Sequence, residues 1–318
     1  MIFAHLKQQW LAPGRSGLSS RILCFARSLR VLLFYRDHQA LCQLDVYRNY
    51  VVPASGGAPF RHFSHRDYLA RGLPARERVQ CVLGHYHFEE TTFNSSYKQA
   101  VYLDGGLQLW QHGSGDDRFA IRLELAPRTH AGGDLAISLI ANGSCLHQLS
   151  FSWMEGALAG VAAPMVPFVA RNQGRWADSG PAYEAFERAF PNNSPSFFCF
   201  AAMQGVAQSV GMELVVAIKC AACVRDDAGD AGHPANAYDG FWKVLGGVET
   251  PGHTWRIGLP FYLKPLADMP SKHRKRAAQR REYWRAIGDA ARSALQRHLL
   301  HARAHHEHAA PVREPAEA

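Results

Sequence analysis

Between about residues 100 and 170, apolar and polar side chains alternate with period two, and turn residues cut the run into short pieces. Alternation puts every second side chain on one face, and connections this short cannot return a chain to a parallel neighbour. An antiparallel β-meander satisfies both conditions. Its expected strands fall at 101–103, 107–110, 119–125, 135–140, 146–153 and 157–161. Asn142-Gly143 and Glu155-Gly156 are hairpin signals, since glycine supplies the positive φ that tight two-residue turns require.

Either side of the meander the period becomes helical. Leu18, Ile22, Phe25, Leu29 and Leu32 or Leu33 recur with helical spacing through 17–50, and Ser19 or Ser20 can cap that helix. Residues 1–16, with Pro13 and Gly14, read as frayed, and 53–60 as a linker. A short helix is expected at 74–83. Beyond the meander come helices at 181–190 and 195–210, a strand at 213–218, a polar loop at 225–237 and a helical turn at 238–245. Gly246-Gly247 stops that turn. A strand at 254–259 and a long basic helix at 271–303 complete the order, and the tail from 304 reads as disordered.

The predicted class is therefore α+β: an antiparallel β-meander, then helix–strand–helix–strand, then a long basic C-terminal helix. Three parts are expected: a basic N-terminal helical segment and linker (1–64), an α+β domain (65–290), and the end of the basic helix with a His-rich tail (291–318). The element order is also that of the acetyltransferase fold that binds coenzyme A, an analogy of order alone. Helix 195–210 opens with Asn192-Asn-Ser-Pro-Ser196, which can cap a helix but is not a glycine-rich pyrophosphate loop. A transferase would show a splayed strand pair near 157–161 and 213–218, with free backbone N–H groups at the start of helix 195–210.

The hydrophobic share of 47% excludes a wholly disordered chain. No run of about 18 uncharged apolar residues crosses the sequence, which excludes a helical membrane span. Seven cysteines, an odd number, sit mostly in apolar runs and read as buried thiols in a reducing compartment. Arg27 and Arg30 interrupt the apolar stretch from Ile22 to Tyr35, so it makes a poor signal peptide. A cytoplasmic protein, peripheral to the inner membrane, is expected.

The net charge is +8, and residues 264–303 alone carry eleven Lys or Arg against three acids. The first 36 residues hold six more cations, Lys7 to Arg36, and no acid. Anionic membrane surface or envelope components are the complementary partners, through Lys272, Arg274, Lys275, Arg276, Arg280, Arg281 and Arg285. Nucleic acid is the weaker alternative, because no recognition helix or base-stacking motif accompanies the charge.

Other constellations are weaker. His85, His87 and Glu89 would share one face of a strand and could bind a metal or a proton, although packing of Tyr86 and Phe88 explains the segment more simply. Cys220 and Cys223 form one CxxC without a second pair. His298, His301, His305, His306 and His308 cluster near the C-terminus, read first as a flexible tail. Asp239, Phe241 and Trp242 could line a ligand pocket, although the aromatic pair suits a core. Neither a Gly-x-Ser-x-Gly elbow nor a Walker loop is present. No metal is predicted.

Three segments together resemble the VirK/YbjX-type family of bacterial proteins, a domain of unknown function. They are His85-Tyr-His-Phe-Glu89, Tyr238-Asp-Gly-Phe-Trp-Lys-Val-Leu-Gly-Gly247, and the stretch from Met269-Pro-Ser-Lys to Arg281-Glu-Tyr283. The agreement runs from about 65 to 290. This chain departs from the family pattern at Ala162-Ala163 and at Phe190-Pro-Asn-Asn-Ser-Pro195. The resemblance implies a Gram-negative source, a role in placing surface proteins in the envelope, virulence and tolerance of antimicrobial peptides. It implies no catalytic residues. The expected ligand-binding candidates are His85, Tyr86, His87, Asp239 and Trp242. The favoured function is an envelope factor without a cofactor. The alternatives are an acyl- or aminoacyl-transferase using a coenzyme A-type donor, and a nucleic-acid-binding protein.

Overall fold

The computed structural model describes residues 28–54, 68–126, 132–174, 179–224 and 235–300, with isolated positions at 2, 3, 6, 7, 22, 25, 26, 60 and 62. The expected loop at 225–237 falls largely outside the described residues. So do the tail and four of the five clustered histidines.

One eight-stranded sheet organises the chain in the order β1-β2-β3-β4-β5-β6-β8-β7. β1 (Leu107–Ser114), β2 (Asp117–Leu125), β3 (Leu135–Ala141), β4 (Ser144–Glu155) and β5 (Met165–Gly174) form the antiparallel meander. Then β6 (Leu214–Ile218) runs parallel to β5, the one parallel pair in the sheet. β8 (Thr254–Gly258) inserts antiparallel between β6 and β7 (Val248–Thr250). The α+β class and the antiparallel-dominated sheet stand as the sequence predicts.

The Asn142-Gly143 hairpin is present, with φ of 50° and 83° at its two central residues. Both angles are positive, as a turn matched to strand twist demands. The Asn142 side-chain oxygen also accepts the Arg118 N–H at 2.8 Å. Glu155-Gly156 differs: Gly156 opens the short helix α6 (Gly156–Ala159) instead of a hairpin. A Cβ there would lie 1.9 Å from the Ala163 carbonyl oxygen, so glycine is required by a close approach and not by a hairpin. The last meander strand is therefore 165–174 rather than 157–161.

Residues before the meander form α1 (Arg30–Leu33), α2 (Tyr35–Gln43), a π-helical stretch (Val46–Val51), α3 (Val52–Ala54), α4 (Ala75–Thr92) and α5 (Ser95–Tyr102). Val31, Leu41, Val46 and Tyr47 join the same core as the sheet. Segment 85–89, expected as a strand, continues α4. Its buried residues are Arg78, Val79, Cys81, Val82, His85, Tyr86 and Glu89, and Arg78, Val82, His85 and Glu89 show the three-to-four spacing that a helix puts on one face. The expected strand at 101–103 is the end of α5, which the Asn94 side chain caps by accepting the Tyr97 N–H at 3.0 Å.

After β5 come α7 (Gly180–Ala189) and α8 (Pro195–Ser209). α8 is buried nearly all round because the sheet covers one side and the C-terminal helix α10 (Ser271–Gln296) the other. The two helices meet at paired glycines: a Cβ on Gly205 would stand 2.1 Å from the Gly288 carbonyl oxygen. α9 (Ala235–Val244) follows β6, and its Trp242 has no exposed surface and packs edge-on against Phe200 of α8.

Candidate functional site: a cleft where the parallel strands part

The parallel pair is short. β5 and β6 are in register only at Phe168–Val216 and Val169–Ala217. β5 runs on to Gly174, whereas the chain after β6 turns into a 3₁₀ turn, Cys220–Ala222. The Asp239 carboxylate holds that turn away by accepting the Cys220 N–H at 3.1 Å and the Trp255 indole N–H at 3.1 Å. A cavity of about 350 Å³ opens between the parted strands.

Four segments wall this cavity. Arg171, Asn172, Gln173 and Gly174 come from the C-terminal end of β5, and Asn193, Ser194 and Ser196 from the start of α8. Cys220, Cys223, Tyr238 and Phe241 form the far side, and His147, Tyr183 and Glu187 the near side. Gly174 is needed where it stands, because a Cβ would lie 2.5 Å from His147 Nδ1. His147 Nε2 lies 2.6 Å from the Asn172 side-chain oxygen and donates to it, since that oxygen can only accept.

The polar groups here are incompletely used. The Gln173 side chain is 9% exposed, yet its Oε1 has no hydrogen-bond partner. Asn193 Oδ1 is likewise buried without a partner. A buried acceptor left open costs about 1–3 kcal/mol, so the site favours a ligand that donates to it. At the start of α8, Pro195 has no N–H and the Ser194 carbonyl takes the Phe197 and Phe198 N–H groups. The Ser196 N–H is then the first open donor of the helix. Burial pushes the Cys223 thiol up to about 12, which leaves it a poor nucleophile near neutrality. Cys220 and Cys223 follow a strand but open only a 3₁₀ turn, not the helix of a thioredoxin-like site.

None of the five sequence-predicted ligand residues lines this cavity. Asp239 and Trp242 stand one position from the lining residues Tyr238 and Phe241 and act as its scaffold. His85 and Tyr86 belong to a polar network in the core. His85 Nδ1 accepts the Trp153 backbone N–H at 3.1 Å, and burial lowers its imidazole to about 4. Tyr86 donates to Asp134 at 3.1 Å, a carboxylate that also receives Tyr68 and Ser152. His87 is exposed and on another side of α4. Among the described residues, no three His, Cys, Asp or Glu side chains converge as a metal site.

The seven cations singled out on the C-terminal helix separate into two sets. Arg274 donates to the Met269 and Ala267 carbonyls at 2.9 and 3.0 Å, Arg281 donates to the Lys264 carbonyl, and Arg280 reaches the Asn192 carbonyl at 3.4 Å. Lys272, Lys275, Arg276 and Arg285 are exposed.

The residues that build the cavity run from His147 to Phe241, and periodicity carries no signal that joins them. Asn192-Asn-Ser-Pro-Ser196, Cys220, Cys223 and Phe241 stand out in the sequence, but nothing there joins them.

Fold and site together define an α+β protein with a cleft at the break of a parallel strand pair. The chain belongs to a family of proteins of unknown function (DUF535), the family that includes VirK and YbjX, whose profile matches residues 60–289. No curated protein and no solved structure matches it.

Proposed function

We propose that the protein is a transferase that moves an acyl or aminoacyl group from a coenzyme A-type donor held in the β5–β6 cleft. One observation carries this reading: β5 continues for five residues past its last pairing with β6, alongside a cavity. Beyond Val169 the β6-facing edge of β5 has no strand partner. Such an edge pairs with an extended chain that carries amides, and the pantetheine arm of coenzyme A is one. The open Gln173 and Asn193 acceptors suit amide N–H groups. Glu187, on the near wall, is the carboxylate available to take a proton from an acceptor amine or hydroxyl. The test is a thermal-shift screen with coenzyme A, acetyl- and long-chain acyl-coenzyme A. Ligand at about 100 times its Kd adds about 2.7 kcal/mol, a readable shift. No shift with any of the three contradicts the reading.

A second reading, attachment to an anionic membrane surface, rests on α1 and its flanks. Leu29, Leu32, Leu33 and Tyr35 are 39%, 44%, 78% and 44% exposed, beside exposed Arg30 and Arg36. Apolar side chains interleaved with cations suit the interface of an anionic bilayer. No helix among the described residues is long and apolar enough to cross a membrane, so any attachment through them is peripheral. A cytoplasmic placement, and the envelope and virulence roles implied by the resemblance, belong to this second reading. Co-sedimentation with anionic vesicles, abolished by Leu32→Ser with Leu33→Ser, supports it. Equal pelleting with zwitterionic vesicles counts against it.

A further inference from the structure

α10 crosses the first turn of α8 at the rim of the cleft. Trp284 stacks on Phe197 with ring centroids 4.7 Å apart and planes 13° apart. Arg280, one turn earlier, lies over the Trp284 ring and reaches the Asn192 carbonyl at 3.4 Å. Asn192 directly precedes Asn193 and Ser194 of the cavity wall. Lys272, Arg276, Arg280 and Trp284 are spaced by four, so they form one stripe on the helix. Arg280 is the cation of this stripe that reaches the start of α8, and Arg276 and Lys272 continue it toward the N-terminus of α10.

Nothing on the helix neutralises that stripe. From Ser271 to Arg281 the chain has no acid. Lys272 and Arg276 are exposed, and the Arg280 Nε is buried with no partner. Like charges four residues apart oppose helix formation unless an anion lies between them. The stripe from residue 272 to residue 280 spans about 12 Å at 1.5 Å per residue, room for more than one phosphate group. Independently, the nine-tenths-buried Gln173 with its open Oε1 marks the adjoining cleft as a place for a ligand.

We propose that Lys272, Arg276 and Arg280, with the Ser196 N–H, hold the phosphates of the molecule whose uncharged arm enters the cleft. The ligand is then a phosphorylated carrier of the nucleotide-diphosphate kind. This rests on the transferase reading of the cleft and names what that reading leaves open, how the donor's anionic half is held without a glycine-rich loop. It also gives the basic helix a site-specific role in place of a general attraction to anions.

Calorimetric titration of the full chain tests it with three probes: coenzyme A, pantetheine (the same arm without phosphate) and ADP. The variant is Lys272→Gln with Arg276→Gln, both exposed, so that the fold is retained. The expected result is coenzyme A binding at least tenfold weaker in the variant, with pantetheine binding unchanged. Coenzyme A binding that is equal in variant and parent overturns the proposal while leaving the cleft reading intact. So does pantetheine binding as tightly as coenzyme A in the parent. ADP binding that depends on the stripe, with no pantetheine binding, supports the phosphate site and refutes the cleft reading. No binding of any probe refutes both. Gln173→Leu, which removes the open acceptor in the cleft, serves as the converse control and weakens pantetheine.

Discussion

Glu89 has no exposed surface, and Lys98 acts on it only through space. Its carboxylate accepts the Tyr97 hydroxyl at 3.0 Å, the Tyr102 hydroxyl at 3.1 Å and the Trp153 indole N–H at 2.6 Å. The nearby Lys98 pairs with Glu90 instead, at 2.9 Å. Burial disfavours the charge and the three donors favour it. Burial wins, and the carboxyl rises from 4.5 to about 7. The folded state thus holds this proton more tightly than the unfolded chain does. Its contribution is present in full below the unfolded value and is lost as pH rises through about 7. At about 1.4 kcal/mol per tenfold change in proton affinity, the fold loses about 2.5 kcal/mol between about pH 5 and about pH 8 through this group. Glu89→Gln removes the ionisation and keeps an oxygen for Tyr97 and Trp153. Urea unfolding free energies, measured for both proteins across that range, should converge on a difference that changes by about 2.5 kcal/mol in favour of the variant at high pH. Parallel curves would refute the reasoning, because the three donors would then hold Glu89 ionised at no cost.

Three further outcomes follow from the packing and the buried groups. Gly205→Ala puts a methyl 2.1 Å from the Gly288 carbonyl and should lower stability by about 1–3 kcal/mol in thermal unfolding. Burial raises the Cys81, Cys145 and Cys223 thiols to about 12, so iodoacetamide at mildly alkaline pH should label them slowly in the folded protein and quickly in urea. His85, held at about 4 by burial, should show a ring-proton NMR shift that stays flat from pH 8 down to about pH 5, and a flat line interrupted near pH 6.5 would contradict its placement.

The sheet was legible where local rules act alone. Alternation in 119–125 and 135–140 and the positive-φ pair Asn142-Gly143 identify β2, β3 and their neighbour without any tertiary information. Local rules failed where a glycine or an alternation serves distant packing. Gly156 answers to the Ala163 carbonyl, which no turn rule anticipates. His85-Tyr-His-Phe-Glu89 alternates polar and aromatic residues like a strand, but the helix begun at Ala75 carries through it, and its buried partners Trp153 and Asp134 are more than forty positions away. β5 contains Pro167, which argues against a central strand, yet the pairing with β6 begins only at Phe168. The cleft was legible only in pieces, the helix cap at 192–196, Cys220, Cys223 and Phe241, with no signal that joins them. It exists because Asp239 draws Cys220 off the line of β6, a hydrogen bond between residues nineteen apart.

The most direct test of the cleft is hydrogen–deuterium exchange of the full chain with and without saturating acetyl-coenzyme A. A donor seated as described pairs with the edge of β5 beyond its two β6 pairings and closes over the first turn of α8. Protection should therefore appear in peptides covering 170–174, 193–198 and 219–224, and nowhere else in the sheet. Unchanged exchange in all three segments, at ligand concentrations that saturate any binding detected by calorimetry, would contradict the account.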